Sequence, residues 1–173
     1  MDIKLIVLDV DGVLTDGKLY IGSDGEEYKA FNAQDGMGIS LAHYTGIKTA
    51  IITGRKSNAV TKRANELRID YLYQGIHDKI DVLWEIKNDL GIDLEQICYI
   101  GDDINDLPIL KEVGLPCAPN NAVPIVKENA KYVANENGGE GAVREIIDQI
   151  LSVQENYQLL IEDYLAGKVR VIQ

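Results

Sequence analysis

The sequence predicts an α/β fold, a doubly wound and mostly parallel sheet with helices on both faces and a projecting β-hairpin flap. Two observations predict it. Short β-branched runs alternate with longer stretches of helical spacing. The chemically useful polar clusters fall at the ends of those runs, where Rossmann-like sheets gather their ligands.

The expected strands cover residues 3–8, 47–52, 71–73, 97–100, 115–118 and 131–133. Between them, helices are expected at about 37–45, 57–68, 78–90, 105–113, 122–129 and 140–152. The first strand runs into Asp9-Val10-Asp11. Alternation along a strand puts Asp9 and Asp11 on one side, and two like charges so placed raise each other's pKa unless a cation lies between them. Residues 18–31 break the alternation and read as two short strands around Ser23-Asp24-Gly25, a hairpin projecting over the Asp pair. A two-stranded ribbon is marginal alone, so a flap that packs on something is preferred to a free edge hairpin. After Leu151, Tyr157, Leu160, Ile161, Tyr164 and Leu165 recur at helical spacing, with Gly167 as a cap. The organisation is therefore one domain over 1–154 and a docking tail over 155–173.

At 173 residues one sizeable core is feasible, burying roughly 70% of the unfolded surface. A net charge of −11 excludes the basic patch of a nucleic-acid binder. No apolar run approaches a membrane span, and no export signal is evident, so a cytoplasmic protein is expected. Cys98 and Cys117 lack metal-ligand spacing and read as buried strand thiols in a reducing compartment. Trp84 and the strand-flanking Tyr71 and Tyr73 read as structural, and His43 as packing on its helix.

Four short motifs carry the chemistry: Asp9-x-Asp11, Thr53-Gly54-Arg55, Lys79, and Gly101-Asp102-Asp103-Ile104-Asn105-Asp106. Each is weak singly; together, in this order and at strand ends, they form a strong signal. They suit phosphoryl transfer from a phosphomonoester. Asp9 can attack phosphorus and form an acyl phosphate, while Asp11 protonates the leaving alcohol and later deprotonates water. A divalent cation must then hold the anions together. Mg2+ would take Asp9, Asp102 and a backbone carbonyl near Asp11, and Thr53 and Lys79 would hold the phosphoryl oxygens.

These motifs resemble those of the haloacid dehalogenase superfamily of phosphatases, from Asp9 to about Leu151. Further stretches resemble its cap-less 3-deoxy-D-manno-octulosonate 8-phosphate phosphatases: Gly22-Ser23-Asp24-Gly25-Glu26-Glu27, Phe31-Asn32-Ala33-Gln34-Asp35-Gly36, Thr53-Gly54-Arg55-Lys56 and Gly138-Gly139-Glu140-Gly141-Ala142-Val143-Arg144-Glu145. The resemblance implies a Mg2+-dependent phosphatase of lipopolysaccharide sugar biosynthesis acting on a phosphorylated sugar acid. It implies a homotetramer in which a hairpin or tail closes a neighbouring site. It makes Asp9 the nucleophile and a metal ligand, Asp11 the acid/base whose carbonyl also binds the metal, and Asp102 a metal ligand. Thr53 and Lys79 become phosphate binders, and Asp103 and Asp106 orient metal-bound water or Lys79. Asn32, Asp35, Gly36, Arg55 and Arg63 become substrate contacts. Gln34 stands where relatives often carry an arginine, which removes one cation for a sugar carboxylate.

Arg55 also reads as a cap or surface ion pair at the start of the helix over 57–68, Arg63 as part of a solvated face, and the Gly138–Gly141 run as a helix-opening turn, a site border or a neighbour's interface. A nonulosonate 9-phosphate phosphatase of the same cap-less type is the rival within the class, with glutamate expected in place of Arg55. A phospho-accepting receiver module is the rival outside it, but its phosphorylated aspartate lies on a later strand.

Overall fold

A computed structural model describes residues 2–168. Six strands form one parallel sheet: β1 (Leu5–Leu8), β4 (Lys48–Thr53), β5 (Tyr71–Gln74), β6 (Ile97–Ile100), β7 (Leu115–Ala118) and β8 (Tyr132–Val133). Their spatial order is β5-β4-β1-β6-β7-β8. The chain winds outward from β1 through β4 to β5, then returns to place β6 on the other side of β1. That reversal is the switch point of a doubly wound sheet, where the carboxyl ends open a crevice.

β1 is buried along its whole length, and its side chains alternate between two cores. Ile6 and Leu8 join a cluster with Ile39, Val60, Ile146, Ile147 and Ile150. These come from α1 (Ala33–Tyr44), α2 (Asn58–Glu66) and α6 (Ala142–Gln154). Leu5 and Val7 join Leu83, Ile86, Ile109 and Val126, from α3 (Lys79–Leu90), α4 (Leu107–Leu110) and α5 (Pro124–Asn129). Each such aliphatic contributes roughly 1.5–3 kcal/mol on burial, so the strand that delivers Asp9 is gripped from both faces.

Several boundaries differ from the sequence expectation. α1 begins at Ala33 rather than near 37, because Asn32 Oδ1 accepts from the backbone N–H groups of Gln34 (2.8 Å) and Asp35 (3.3 Å) and starts the helix early. The helix expected over 105–113 is a 3₁₀ turn (Ile104–Asp106) followed by the single turn of α4, since Asp103 and Asp106 turn their carboxylates back onto backbone donors. Trp84, read as structural and placed in the core, is 40% exposed, with the Lys87 ammonium 5.6 Å from its ring centre. The thiols of Cys98 and Cys117 are buried 3.8 Å apart. No helix among the described residues is long and apolar enough to cross a membrane.

The hairpin is a two-stranded ribbon, β2 (Tyr20–Ile21) with β3 (Glu27–Tyr28), separate from the main sheet. Past α6, α7 (Tyr157–Asp163) lies back on its own domain: Leu160 enters the core and Tyr157 Oη donates to Asp148 Oδ1 at 2.8 Å. The end of the expected docking tail, residues 169–173, lies outside the described residues.

Candidate active site

The loop after β1 leaves the strand at Asp9 and is wound tightly by its own backbone. Val10 O accepts from Val13, Leu14 and Thr15 N–H groups, and Thr15 Oγ1 accepts from Gly12 N (3.3 Å) and Gly17 N (3.2 Å). Gly12 has φ +87°, and a Cβ there would lie 2.0 Å from Asp102 Oδ2. Behind the loop sits the glycine run. A Cβ on Gly138 would meet Gly12 O at 1.9 Å, and Asn121 bridges the two segments, donating to Gly12 O (3.0 Å) and accepting from Gly138 N (2.6 Å). The run therefore backs the loop that carries Asp9 and Asp11.

Around this loop opens a cavity of about 270 Å³, lined by Asp9, Asp11, Thr53, Arg55, Asp102 and Asp103 among others. Thr53 ends β4, and Asp102 and Asp103 follow β6. Beneath them lies a buried polar floor. Lys79, the first residue of α3, is 3% exposed; its Nζ lies 3.0 Å from Asp9 Oδ1 and 2.8 Å from Asp106 Oδ1. Asp106, fully buried, also accepts from Tyr99 Oη (2.5 Å), Asp102 N (2.9 Å) and Asp103 N (3.3 Å). Tyr99, an aromatic hydroxyl in an otherwise aliphatic strand, signalled a buried partner that the sequence analysis passed over.

Burial, then the Asp106 charge, pushes the Asp9 carboxyl up to about 6, despite Lys79. Burial, then Asp9 and Asp106, pushes Asp102 up to about 7. Burial alone would lower the Lys79 ammonium, but Asp9 and Asp106 hold its pKa above the ordinary value. The repulsion expected between Asp9 and Asp11 is thus replaced: the negative neighbours of Asp9 are Asp106 and Asp102. Asp11 leaves the strand direction and pairs with a cation that the sequence analysis gave no role, Lys29 of the hairpin, at 2.5 Å. Lys29 also lies 2.8 Å from Glu27 Oε1, and Glu27 Oε2 accepts from Arg55 Nη2. Glu27 and Lys29 share one face of the ribbon while Tyr28 points out, 58% exposed; that period of two was the available signal.

Carboxylate oxygens of Asp9, Asp102 and Asp106 lie within 4.8 Å of one another. Asp106 spends both oxygens on Lys79, Tyr99 and two backbone amides, which leaves Asp9 and Asp102 as the pair facing the cavity. An all-oxygen set of two raised carboxyls facing an open cavity fits Mg2+, which keeps several waters and takes one or two protein carboxylates.

Four residues expected at the substrate do not line this cavity. Asn32 caps α1 and donates to Gly139 O (3.4 Å). Asp35, 1% exposed, accepts from Arg144 N at the start of α6 (2.9 Å). Gly36 leaves room for the Arg63 guanidinium, 2.7 Å from where its Cβ would be, and Arg63 pairs with Glu66 (3.4 Å). The four form a junction of α1, α2 and α6.

Comparison with known proteins agrees with the geometry. Residues 72–147 match the model of the haloacid dehalogenase-like hydrolases. The chain is 45% identical over 157 residues to a 3-deoxy-D-manno-octulosonate 8-phosphate phosphatase of Yersinia pestis, covering 91% of this chain and 84% of that one. It is 46% identical over 153 residues to the protein of that name from Escherichia coli strain K12, covering 88% and 81%. The crystal structure of the Moraxella catarrhalis phosphatase of the same name, in complex with magnesium, phosphate and KDO, superposes with a TM-score of 0.91 at 41% identity, covering 94% of this chain and 93% of that one. A phosphatase site on a doubly wound sheet, together with these relatives over most of their length, places the chain in the 3-deoxy-D-manno-octulosonate 8-phosphate phosphatase family of the haloacid dehalogenase-like hydrolases.

Proposed function

We propose that this chain hydrolyses 3-deoxy-D-manno-octulosonate 8-phosphate to the free sugar acid and phosphate, using Mg2+ and an aspartyl-phosphate on Asp9. The observation that carries the proposal is the Asp9 carboxylate at the cavity mouth, oriented from below by Lys79 at 3.0 Å. Asp9, Asp102 and the Asp11 carbonyl would hold Mg2+, which would supply the positive charge that lets a carboxylate approach a phosphate dianion. Asp9 Oδ attacks phosphorus as the ester P–O bond breaks, and the Asp11 carboxyl gives its proton to the departing alkoxide. Asp11 then takes a proton from the water that attacks the acyl phosphate, which frees phosphate and restores Asp9. Thr53 and Lys79 hold phosphoryl oxygens as charge shifts between them. Asp106 and Asp103 act through others, Asp106 by fixing Lys79 and the backbone that presents Asp102. Arg55, on the cavity wall, supplies the planar cation for the sugar carboxylate.

A cytoplasmic homotetramer belongs to the same proposal. Leu19, Tyr20, Ile21 and Tyr28 expose apolar surface on the hairpin, between 46% and 62% each, a patch suited to other copies of the hairpin. Free buried thiols at Cys98 and Cys117 suit a reducing compartment.

The test is phosphate release with Mg2+ across eight-carbon and nine-carbon sugar phosphates, with the particle mass measured by light scattering. The expected result is preferred turnover of the eight-carbon ester by a particle of four chains. Faster turnover of the nine-carbon ester would overturn the substrate, and no metal-dependent release from any ester would overturn the mechanism.

A further inference from the structure

We infer that Lys29 is a positioning residue for the reaction: it fixes the Asp11 carboxylate for proton transfer and makes that transfer depend on the seating of the hairpin. The inference rests on the acid/base role of Asp11.

The Lys29 side chain is 2% exposed, although it belongs to a ribbon whose strands are two residues long. Its ammonium bonds Asp11 Oδ1 at 2.5 Å, which leaves Oδ2 to carry the proton that passes to the ester oxygen. Asp11 lines the cavity with its side chain 21% exposed. Without a tether, the carboxylate can rotate away from the ester into solvent. The second partner, Glu27 Oε1, lies 2.8 Å from the ammonium as an ion pair, while the contact to Asp11 is both an ion pair and a hydrogen bond.

Glu27 closes the arrangement on its other side. Its Oε2 accepts from Arg55, which follows the Thr53-Gly54 turn on the cavity wall. A chain of alternating charge therefore runs Asp11–Lys29–Glu27–Arg55, joining nucleophile loop, hairpin and phosphate-binding turn. Burial opposes the Lys29 charge, and Asp11 and Glu27 more than offset it. Both charged neighbours of Glu27 depress its pKa, Lys29 first. An apolar side chain would seat the ribbon without the cost of desolvating an ammonium. The ammonium is explained by what it holds.

The test exploits leaving-group chemistry. An alkoxide needs a proton as the P–O bond breaks; p-nitrophenolate does not, and kcat/KM reports only steps up to that cleavage. Lys29→Met is compared with the wild type on 3-deoxy-D-manno-octulosonate 8-phosphate, glycerol 3-phosphate and p-nitrophenyl phosphate. The expected loss in kcat/KM is about 100-fold for the alkyl esters, within the range of general acid catalysis, and under about tenfold for the aryl ester. Lys29→Arg, which keeps a cation, should recover most of the alkyl loss. Equal losses on alkyl and aryl esters would reduce Lys29 to an anchor of the hairpin and overturn the inference. So would unchanged kinetics, or no recovery by arginine with the thermal midpoint intact. Wild-type failure on the sugar ester alone would overturn the substrate assignment, while glycerol 3-phosphate keeps the Lys29 comparison readable.

Discussion

Lys79 and Lys29 each place an ammonium between two carboxylates, and both side chains are 2% exposed, yet their settings differ. Lys79 opens the twelve-residue α3 and reaches carboxylates that are 8% and 0% exposed, one at the end of β1 and one in the turn that follows β6. Lys29 rides a ribbon outside the main sheet and reaches carboxylates that are 21% and 16% exposed. In the lower trio Asp9 ends a strand gripped by both cores, and Lys79 opens a helix packed into one of them. The upper one stays in place largely through its own charges. The difference separates the two in rigidity: the lower trio is enclosed around Asp9, and the upper one, nearer water, ties the hairpin to Asp11.

Removing each ammonium should expose the contrast most strongly. In Lys79→Met, Asp9 and Asp106 lose their shared cation inside the protein, where breaking a buried pair costs about 3–5 kcal/mol. In Lys29→Met, the partners still touch water, and the loss should stay under about 2 kcal/mol, between the buried and surface cases. Urea denaturation of both variants measures this. Equal losses would mean that the hairpin is as firmly built as the floor.

What could be read in the sequence follows the same division. The floor was legible because its residues stand in short motifs at the ends of strongly apolar runs: Asp9, Thr53, Lys79 and the Asp102–Asp106 stretch converge as the spacing implied. The pairing of charges was not legible. Asp9-x-Asp11 suggested mutual repulsion, but the loop wound on Val10 O and Thr15 turns Asp11 towards Lys29. Ion pairs between distant segments leave no local periodicity to detect. Asn32 and Asp35 stand in a conspicuous motif, and in this chain Asn32 caps α1 while Asp35 Oδ1 accepts from Arg144 N at the start of α6. A capping side chain and a ligand-binding one look alike in sequence.

A smaller effect separates the cavity carboxyls from the rest. Asp9 and Asp102 have pKa values raised to about 6 and about 7. Their protonated forms therefore favour the fold, a contribution complete below about pH 4 and lost as pH rises through 6 to 7. In EDTA the protein should lose about 1–3 kcal/mol between pH 5 and pH 8 from these groups, allowing for solvent at Asp102. Mg2+ binds the deprotonated carboxylates, so adding it at pH 8 should restore that loss and do little at pH 5. Asp35, pushed up to about 6 by burial, falls in the same window but lies away from the cavity, so its share should persist with the metal present. Thermal midpoints on a grid of pH and Mg2+ check this. A Mg2+ stabilisation independent of pH would place the ion on other ligands.

Salt should give the smallest and most selective effect. Raising ionic strength from 0.1 M to 1 M shortens the screening length from about 10 Å to about 3 Å. The Glu27–Arg55 pair, with Arg55 46% exposed, is open to that screening, whereas the Lys79 trio is shielded by the sheet. Hairpin amides such as Gly22 N–H, bonded to Glu26 O at 2.7 Å, should exchange up to about fivefold faster in 1 M NaCl, consistent with a pair worth under about 1 kcal/mol. The Asp106 amide, bonded to Asp103 O at 3.0 Å beside the floor, should keep its rate once the intrinsic exchange is corrected for salt. Parallel acceleration of both amides would show that the two trios open together, and the division between a fixed floor and a yielding flap would fail. Selective acceleration at the hairpin would locate the easiest motion of the site in the segment that carries Lys29 over the cavity.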